Sequence, residues 1–251
     1  MKHLMKRISE LNILKKIAAD IAKSGGDMPS ELLTGFMAMV GHSYSNELMV
    51  IGRSVNGWGT GWDRRTWHNE LDRDQFANDV FKSVTGGDTC PMQWVSECWG
   101  NYDHEYNTRK SQFWRVIRNM VSELKIADVE NTIWPSHLVW SNLYKIAPCG
   151  GGNPSNQLCS LQFEGCKDLL HEEFRLYRPK RALFLTGYNW AGPFLAELNP
   201  SINPLPDYQY VEAAGQLIIE DIQGCQIVVA AHPQGKIEDV WISEVASVFE
   251  D

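Results

Sequence analysis

The chain has 251 residues, of which 43% are hydrophobic and 22% charged, and its formal net charge is −8 at pH 7. These values are typical of a globular protein with one large domain. The acidic balance argues against a surface that wraps duplex DNA. The apolar runs fall short of the roughly 18 residues that a membrane span requires, and the charged amino terminus is unlike a secretory signal, so we expect a cytoplasmic protein.

The cysteine pattern indicates neither a metal centre nor a disulfide framework. The six cysteines stand at irregular spacings and form no C-x-x-C pair. Zinc and iron–sulfur sites usually need such pairs, and the cytosol keeps thiols reduced. We therefore expect ordinary thiols, no bound metal and no cofactor.

The amino-terminal region predicts a helical arm. Apolar residues recur at helical spacing over residues 4–23, and a Ser-Gly-Gly run then ends the pattern. A proline and a serine at residues 29–30 predict the start of a second, short helix that ends at Met39. We therefore divide the chain into an arm, residues 1–45, and an α/β domain, residues 46–251.

Four short apolar strands alternate with helices in the second part of the chain. The strands are predicted at 48–52, 137–146, 181–187 and 226–231. The helices are predicted at about 73–84, 91–98, 111–124, 157–177, 190–198 and 238–249, with turns and a hairpin at 199–224. This alternation predicts a three-layer α/β/α fold with a central, mainly parallel four-stranded sheet.

Polar side chains stand at or beyond the ends of three predicted strands. Arg53, Ser54 and Asn56 follow the first strand, in a loop that opens the irregular segment 57–110. Asn142 lies in the second strand, and His232 follows the last one. Because open α/β sheets bind ligands at the carboxyl ends of their strands, we expect these groups to line one cleft.

Four short segments carry a resemblance to a known family. They are Ile51–Gly57, Phe113–Asn119, Ser141–Leu143 and Ala231–Gly235. Their order on the strand–helix frame resembles the uracil-DNA glycosylase superfamily, and is most similar to its mismatch-specific and single-strand-selective monofunctional branches. The resemblance covers about residues 46–249 and leaves the arm outside.

The resemblance implies a role for each matched residue. Asn142 reads the edge of a pyrimidine, and His232 donates to the departing base. Trp58 or Trp62 stacks on the base after it has left the DNA stack. A donor aimed at the base gains strength as negative charge develops there, which favours bond cleavage. The remaining substrate-binding residues are Gly52, Arg53 and Gln234.

The loop after the first strand departs from the family pattern. Ser54 and Val55 stand where the family has Asp or Asn and then Pro, and Gln234 stands where it has Ser. A serine can hold the attacking water, but it is a poor general base at neutral pH. Asn56, two residues further on, is the candidate substitute. We assign His232, Ser54 and Asn56 as the catalytic residues.

Each of these residues also has a structural interpretation. The imidazole of His232 could close a turn at the strand end. Asn142 could satisfy buried backbone groups, as buried amides usually do. Trp58 and Trp62 could be core or lid residues, and Arg53 fits an ion pair better than a phosphate contact.

Three functions are compatible with these residues. The first is a monomeric, metal-free glycosylase that excises a damaged or deaminated base from single-stranded or mismatched DNA. The second is a non-catalytic member of the same fold that binds a nucleobase, a nucleotide or a protein. The absent carboxylate favours it, as does the carboxyl-terminal region, where acidic residues outnumber basic ones by ten to one from Gly187 onwards. The third is a hydrolase of small nucleoside-like molecules.

Overall fold

A computed structural model describes residues 7–24, 32–85, 89–104, 106–198, 201–218 and 224–250. It is a mixed α/β fold that divides into two compact units. The helical unit consists of Met1–Ala38, Gly52–Gly86 and Asn142–Tyr177. The sheet unit consists of Met39–Ile51, Gly87–Ser141 and Arg178–Asp251. The boundary predicted at residue 45 separates two parts that would fold independently. The division into compact units does not address independent folding, so this boundary stays a prediction.

The elements follow in chain order. The strands are β1 Leu33–Gly35, β2 Met39–Val40, β3 Leu48–Gly52, β4 Leu138–Asn142, β5 Ile146–Pro148, β6 Arg181–Phe184, β7 Asn203–Pro204, β8 Val211–Leu217 and β9 Cys225–Ala230. The α-helices are α1 Ile8–Lys23, α2 Glu70–Thr85, α3 Trp94–Glu97, α4 Gln112–Glu123, α5 Asn156–Tyr177, α6 Tyr188–Leu198 and α7 Glu238–Glu250. The predicted helices of the α/β part are confirmed, with small shifts at their ends.

The main sheet has seven strands in the order β2-β4-β3-β6-β9-β8-β7, where four were expected. Strands β3, β6 and β9 are parallel, and Val50, Leu183 and Val228 stand in register across them. Strands β2, β8 and β7 pair antiparallel with their neighbours, so the sheet is mixed. The hairpin predicted within 199–224 is present as the antiparallel pair β7–β8, whereas sequence patterning missed β2, which is only two residues long.

The interior strand β3 is buried along its whole length. A strand that is covered on both faces reads as a continuous apolar run, which is why this element was predictable. Because β3, β6 and β9 are parallel, their carboxyl ends lie at the same edge of the sheet. That edge of the sheet unit carries the segment that begins after Ala230.

Helices α4 and α7 pack against each other, and α7 also covers β8 and β9. The apolar face of α4 buries Trp114, Ile117 and Met120 as predicted. The indole of Trp241 in α7 donates to the carbonyl of Ala231 at 2.8 Å. Ser111 stands at the N-cap of α4, as predicted, but its hydroxyl makes no capping hydrogen bond.

In the helical unit, α1 packs against α2 and α5. The contact with α5 requires Gly165, since an added Cβ would lie 2.4 Å from Cγ1 of Ile17. The predicted helix over residues 4–23 is confirmed as Ile8–Lys23, and the first residues of the prediction lie outside the described part.

Two sequence predictions in this region are wrong. The described part of the predicted helix 29–39 forms β1 and the start of β2, because β1 pairs antiparallel with β5. The predicted strand 137–146 is two strands, β4 and β5, that belong to different sheets. Between them the amide of Tyr144 donates to the carbonyl of Arg53 and the amide of Lys145 to the side chain of Gln162, so the chain leaves the first sheet.

Candidate functional site

The sheet unit contains an open cavity of about 430 Å³. Its lining comes from residues between Asn101 and Phe113 and from His232 and Gln234. Small-molecule sites in proteins usually begin at roughly 300 Å³, so the volume is sufficient for a small ligand. The structure therefore brings together two of the predicted site residues, His232 and Gln234, at one cavity.

The imidazole of His232 is oriented by two contacts. It stacks on the ring of Phe113, with centroids 6.5 Å apart and planes inclined by 26°. Its Nδ1 atom accepts a hydrogen bond from the backbone amide of Gln234 at 3.3 Å. Because Nδ1 is the acceptor, the neutral ring carries its proton on Nε2, and that nitrogen is the donor. The ring thus closes a turn, as the structural interpretation expected, and keeps the tautomer that a donor to a base requires.

The segment that follows His232 is held by a side chain of α4. The amide of Gly235 donates to Oε1 of Gln112 at 2.6 Å, and Nε2 of Gln112 donates to the carbonyl of Lys236 at 3.2 Å. Gly235 has a φ of 74°, a conformation that glycine adopts without strain. Gln112 is therefore a positioning residue for this side of the cavity.

A cluster of rings supports the cavity wall. Trp140 lies 6.5 Å from Phe113 and 5.1 Å from Trp114, measured between ring centroids. Trp94 lies 5.8 Å from Trp140 and 6.3 Å from Tyr106, which lines the cavity. Packed aromatic rings have few alternative positions, so the wall is rigid before any ligand arrives.

In the helical unit, Ser54 and Asn56 contact the glycine-rich connection after β5. Oδ1 of Asn56 accepts from the amide of Gly152 at 2.6 Å. The hydroxyl of Ser54 lies 3.5 Å from Oδ1 of Asn153, at the limit of a hydrogen bond. Both side chains are therefore placed by the same short segment, and their role toward water stays a prediction.

The two tryptophans of this loop make packing contacts. Trp58 meets Phe36 edge-to-face at 5.9 Å, and Trp62 meets Phe76 in the same way at 5.9 Å. The backbone of Trp62 also forms a bridge with Leu33, through hydrogen bonds of 2.9 and 2.7 Å. These contacts support the structural interpretation of both residues, and stacking on a base stays a prediction.

Gly52 and Arg53 both make backbone hydrogen bonds to the segment after β4. The carbonyl of Gly52 accepts from the amide of Leu143 at 2.9 Å, and that of Arg53 accepts from Tyr144 at 2.9 Å. These bonds fasten the start of the loop to the segment after β4. The substrate-binding role predicted for these two residues is not tested by this geometry.

Asn142 is the last residue of β4 and is only 1% exposed. Its Nδ2 atom is buried and donates to no group among the described residues. A buried amide without a partner costs about 1–3 kcal/mol unless a ligand or a water supplies the acceptor. The side chain is inaccessible to a ligand in this conformation, so the predicted reading of a base edge by Asn142 stays a prediction.

The carboxylate that follows the loop is a poor base. A hydrogen bond from the guanidinium of Arg65 is the main reason that the pKa of Asp63 falls to about 2. The sequence between Gly52 and Trp62 contains no other acidic residue. The loop therefore offers no carboxylate with a pKa near neutrality to activate a water.

Sequence reasoning missed most of the cavity lining. Tyr102, His104, Tyr106 and Lys110 all line it; the sequence pointed to them through the irregular segment 57–110 and, for Lys110, through the basic residues around it. Aromatic and basic residues close together in such a loop are a signal that was available and not used. Whether Asn142 and the loop after β3 act on the same ligand as His232 stays a prediction.

No family model matches the sequence, and the comparison with curated proteins finds no match. The resemblance to the glycosylase superfamily therefore depends only on the four segments quoted above. Within the described ranges, no three His, Cys, Asp or Glu side chains are grouped as a metal site. No helix in those ranges is long and apolar enough to cross a bilayer.

Proposed function

We propose that the protein binds a nucleobase of single-stranded or mismatched DNA in the His232 cavity and excises it. The observation that carries the proposal is the cavity itself, where an oriented imidazole lies against an aromatic wall in a space of about 430 Å³. A nucleobase presents a flat ring for stacking and carbonyl oxygens for hydrogen bonding. The cavity offers the complementary groups for both.

In the proposed reaction, water replaces the base at C1′ of the sugar; the proton that the water loses goes to solvent, and the departed base anion takes one up from solvent. The glycosidic bond breaks and its electron pair leaves with the base, while the sugar gains positive charge. The Nε2–H of His232 donates to the base oxygen as negative charge develops there. The attacking water of Ser54 and Asn56 and the base edge read by Asn142 enter the proposal only as what the resemblance to the glycosylase superfamily implies.

An abasic-site assay tests the reaction. Single-stranded and mismatched oligonucleotides carrying uracil or hypoxanthine are incubated with the protein and then cleaved at abasic sites. We expect cleavage by the wild type and a loss of about 10²–10³-fold in rate for His232→Ala, because the variant lacks the donor. His171→Ala, a change of an exposed histidine on α5, serves as the control and keeps the wild-type rate. Cleavage by His232→Ala at the wild-type rate would contradict the proposed mechanism.

The second candidate function is binding without excision. The low pKa of Asp63 and the absence of another carboxylate in the loop favour it. In that case the same oligonucleotides bind and are not cleaved, and His232→Ala still weakens the binding. Binding and cleavage measured on one panel of oligonucleotides therefore separate the two functions.

The proposal keeps the finer architecture expected from the sequence. It places the base-binding domain in residues 46–251 as a three-layer α/β/α arrangement, monomeric and cytoplasmic, that needs no cofactor. Sedimentation of the purified chain measures the oligomeric state. Activity after dialysis against a chelator measures the metal requirement, and we expect no loss.

A further inference from the structure

The rim of the cavity carries a tyrosine that the protein core does not use. Tyr102 lines the cavity and is 81% exposed. The ammonium group of Lys110 lies 5.1 Å from the centroid of its ring. An exposed ring with a cation over its face offers a stacking surface and a charge for an anion in one place.

The loop that carries Tyr102 is held in position by its own side chains. Oδ1 of Asn107 accepts from the amides of Gly100 and Arg109, each at 3.1 Å. Oδ1 of Asn101 accepts from the amide of Asp103 at 3.0 Å. The ring is thus presented to solvent by a structured loop, which lowers the entropy cost of binding a ligand there.

The loop is also anchored to the interior of the sheet unit. Thr108 is fully buried, and its hydroxyl donates to the carbonyl of Val95 at 2.7 Å. The guanidinium of Arg115 donates to the carbonyl of Arg109 at 2.9 Å. Among the described residues of this loop, the side chains of Asp103, Arg109 and Lys110 are exposed.

We infer that Tyr102 and Lys110 form a subsite for the nucleotide next to the base in the cavity, so that the ligand is a single-stranded oligonucleotide and not a free base. The inference rests on the proposed function. The neighbouring base stacks on Tyr102, and the ammonium of Lys110 moves from the ring to the phosphate between the two nucleotides. Stacking of this kind needs an unpaired base, and it accepts any base because every base has a π face.

Fluorescence anisotropy tests the subsite. The probe is a single strand of about seven nucleotides with a central 2′-fluoro-2′-deoxyuridine, whose glycosidic bond resists cleavage. We expect Tyr102→Ala to weaken binding about tenfold, as for other base–aromatic stacks. Tyr188→Ala removes a ring of α6 that is 40% exposed and lies outside the cavity lining, and it should leave affinity unchanged. Equal affinity of Tyr102→Ala and wild type would overturn the subsite.

A change in the ligand gives an independent readout. In one probe the base on the 5′ side of the central nucleotide is replaced by an abasic residue, and in another the base on the 3′ side. On the wild type, one of these probes should bind about tenfold more weakly than the intact probe. On Tyr102→Ala, the same probe should bind as tightly as the intact probe, because the stacking partner is already absent. If the loss of affinity from the abasic residue and the loss from Tyr102→Ala multiply for both probes, the two changes are independent and the subsite is overturned. Lys110→Ala should reduce the slope of log affinity against log salt by about 0.7, the value for one single-strand phosphate contact.

The failure of the subsite and the failure of the proposed function look different. If binding depends on His232 and not on Tyr102, the base site survives and the subsite is rejected. If the wild type binds neither this probe nor the panel used for excision, the proposed function fails and the subsite with it. Deoxyuridine monophosphate gives a further comparison, because it lacks the neighbouring base and should bind wild type and Tyr102→Ala equally.

Discussion

Each unit contains a distinctive group of polar side chains, one buried and the other at an open cavity. In the helical unit, Lys145 and Glu173 are completely buried, and Nζ of the lysine lies 2.7 Å from Oε1 of the glutamate. In the sheet unit, Lys110, His104 and His232 line an open cavity. The Lys145–Glu173 pair is enclosed by protein, whereas the side chains at the cavity face a space that a ligand can enter.

The buried charges of the helical unit form a balanced network. Arg7 binds Glu10 at 2.6 Å, and the hydroxyl of Tyr177 donates to Glu10 at 2.7 Å. Burial raises the pKa of Glu10, and Arg7 opposes that rise. Burial also raises the pKa of Tyr177, so its hydroxyl stays protonated and remains a donor.

The difference separates residues that stabilise the fold from residues that are available for binding. A buried charge needs a partner of opposite sign, because an uncompensated one costs several kcal/mol. A polar group at an open cavity has water as its partner until a ligand replaces it. We therefore assign the network of the helical unit to stability and the cavity of the sheet unit to function.

The largest effect is expected at the buried ion pair. Lys145→Met leaves the carboxylate of Glu173 buried without its partner, and the free energy of unfolding should fall by about 3–5 kcal/mol. Denaturant unfolding measures it. The control is Lys16→Met, which breaks a pair with Asp168 whose side chains are 59% and 51% exposed and should change stability by less than about 1 kcal/mol.

A second variant shows whether this loss comes from the unpaired charge. In Lys145→Met with Glu173→Leu both charges are gone, and much of the lost stability should return. A double variant as unstable as Lys145→Met alone would mean that packing around the lysine stem, and not the charge, is what matters. A wild-type midpoint for Lys145→Met would contradict the assignment of the network to stability.

Two buried amides provide the next comparison. Gln162 is fully satisfied, since its Oε1 accepts from Ile146 at 2.9 Å and its Nε2 donates to the carbonyl of Ile146 at 2.7 Å. Gln162→Leu should therefore lower the free energy of unfolding by about 3 kcal/mol. Asn142→Leu should leave stability unchanged or raise it, because Nδ2 of Asn142 donates to no described group.

The binding of the same variants completes this test. Asn142→Leu should weaken binding of the uracil oligonucleotide about tenfold, since the site loses a group that reads the base edge. If Asn142→Leu destabilises the protein as much as Gln162→Leu, the amide has a structural role. If Asn142→Leu changes neither the stability of the protein nor its binding of the oligonucleotide, the predicted reading of the base edge by Asn142 is wrong.

The smallest effect is expected at the pair that joins α4 to α7. A hydrogen bond from Arg115 is the main cause of the lowered pKa of Glu238. Stability from this pair is therefore present above the pKa of the unfolded state and is lost as the pH falls through the lower pKa of the folded state. Arg115→Gln should cost less than about 1 kcal/mol at pH 7, because both side chains are partly exposed.

Urea titrations at several pH values measure this contribution. The difference between wild type and Arg115→Gln should begin to shrink as the pH falls below the pKa of an unfolded glutamate, about 4.3, and vanish below the lower pKa of Glu238 in the folded state. A difference that stays constant down to pH 2 would show that the ion pair does not contribute. Such a result would leave only the contact between Arg115 and the carbonyl of Arg109.

Local patterns were enough to predict the helices of the α/β part and the strand β3. The apolar spacing of residues 111–124 and 157–177 indicates helices, and the structure has α4 and α5 there. The continuous apolar run of β3 indicates a buried strand. The sequence also placed His232 directly after a strand. These features depend on neighbours within a few residues, so the sequence carries them in full.

Only the tertiary structure decided the rest. It turned residues 33–35 into a strand by pairing them with Ile146–Pro148, and it buried Lys145 opposite Glu173. It also formed one cavity from His232 and the loop that carries Tyr102, far apart along the chain. The physical reason is that periodicity is local, whereas strand pairing, the partner of a buried charge and the walls of a cavity depend on which distant segments pack together.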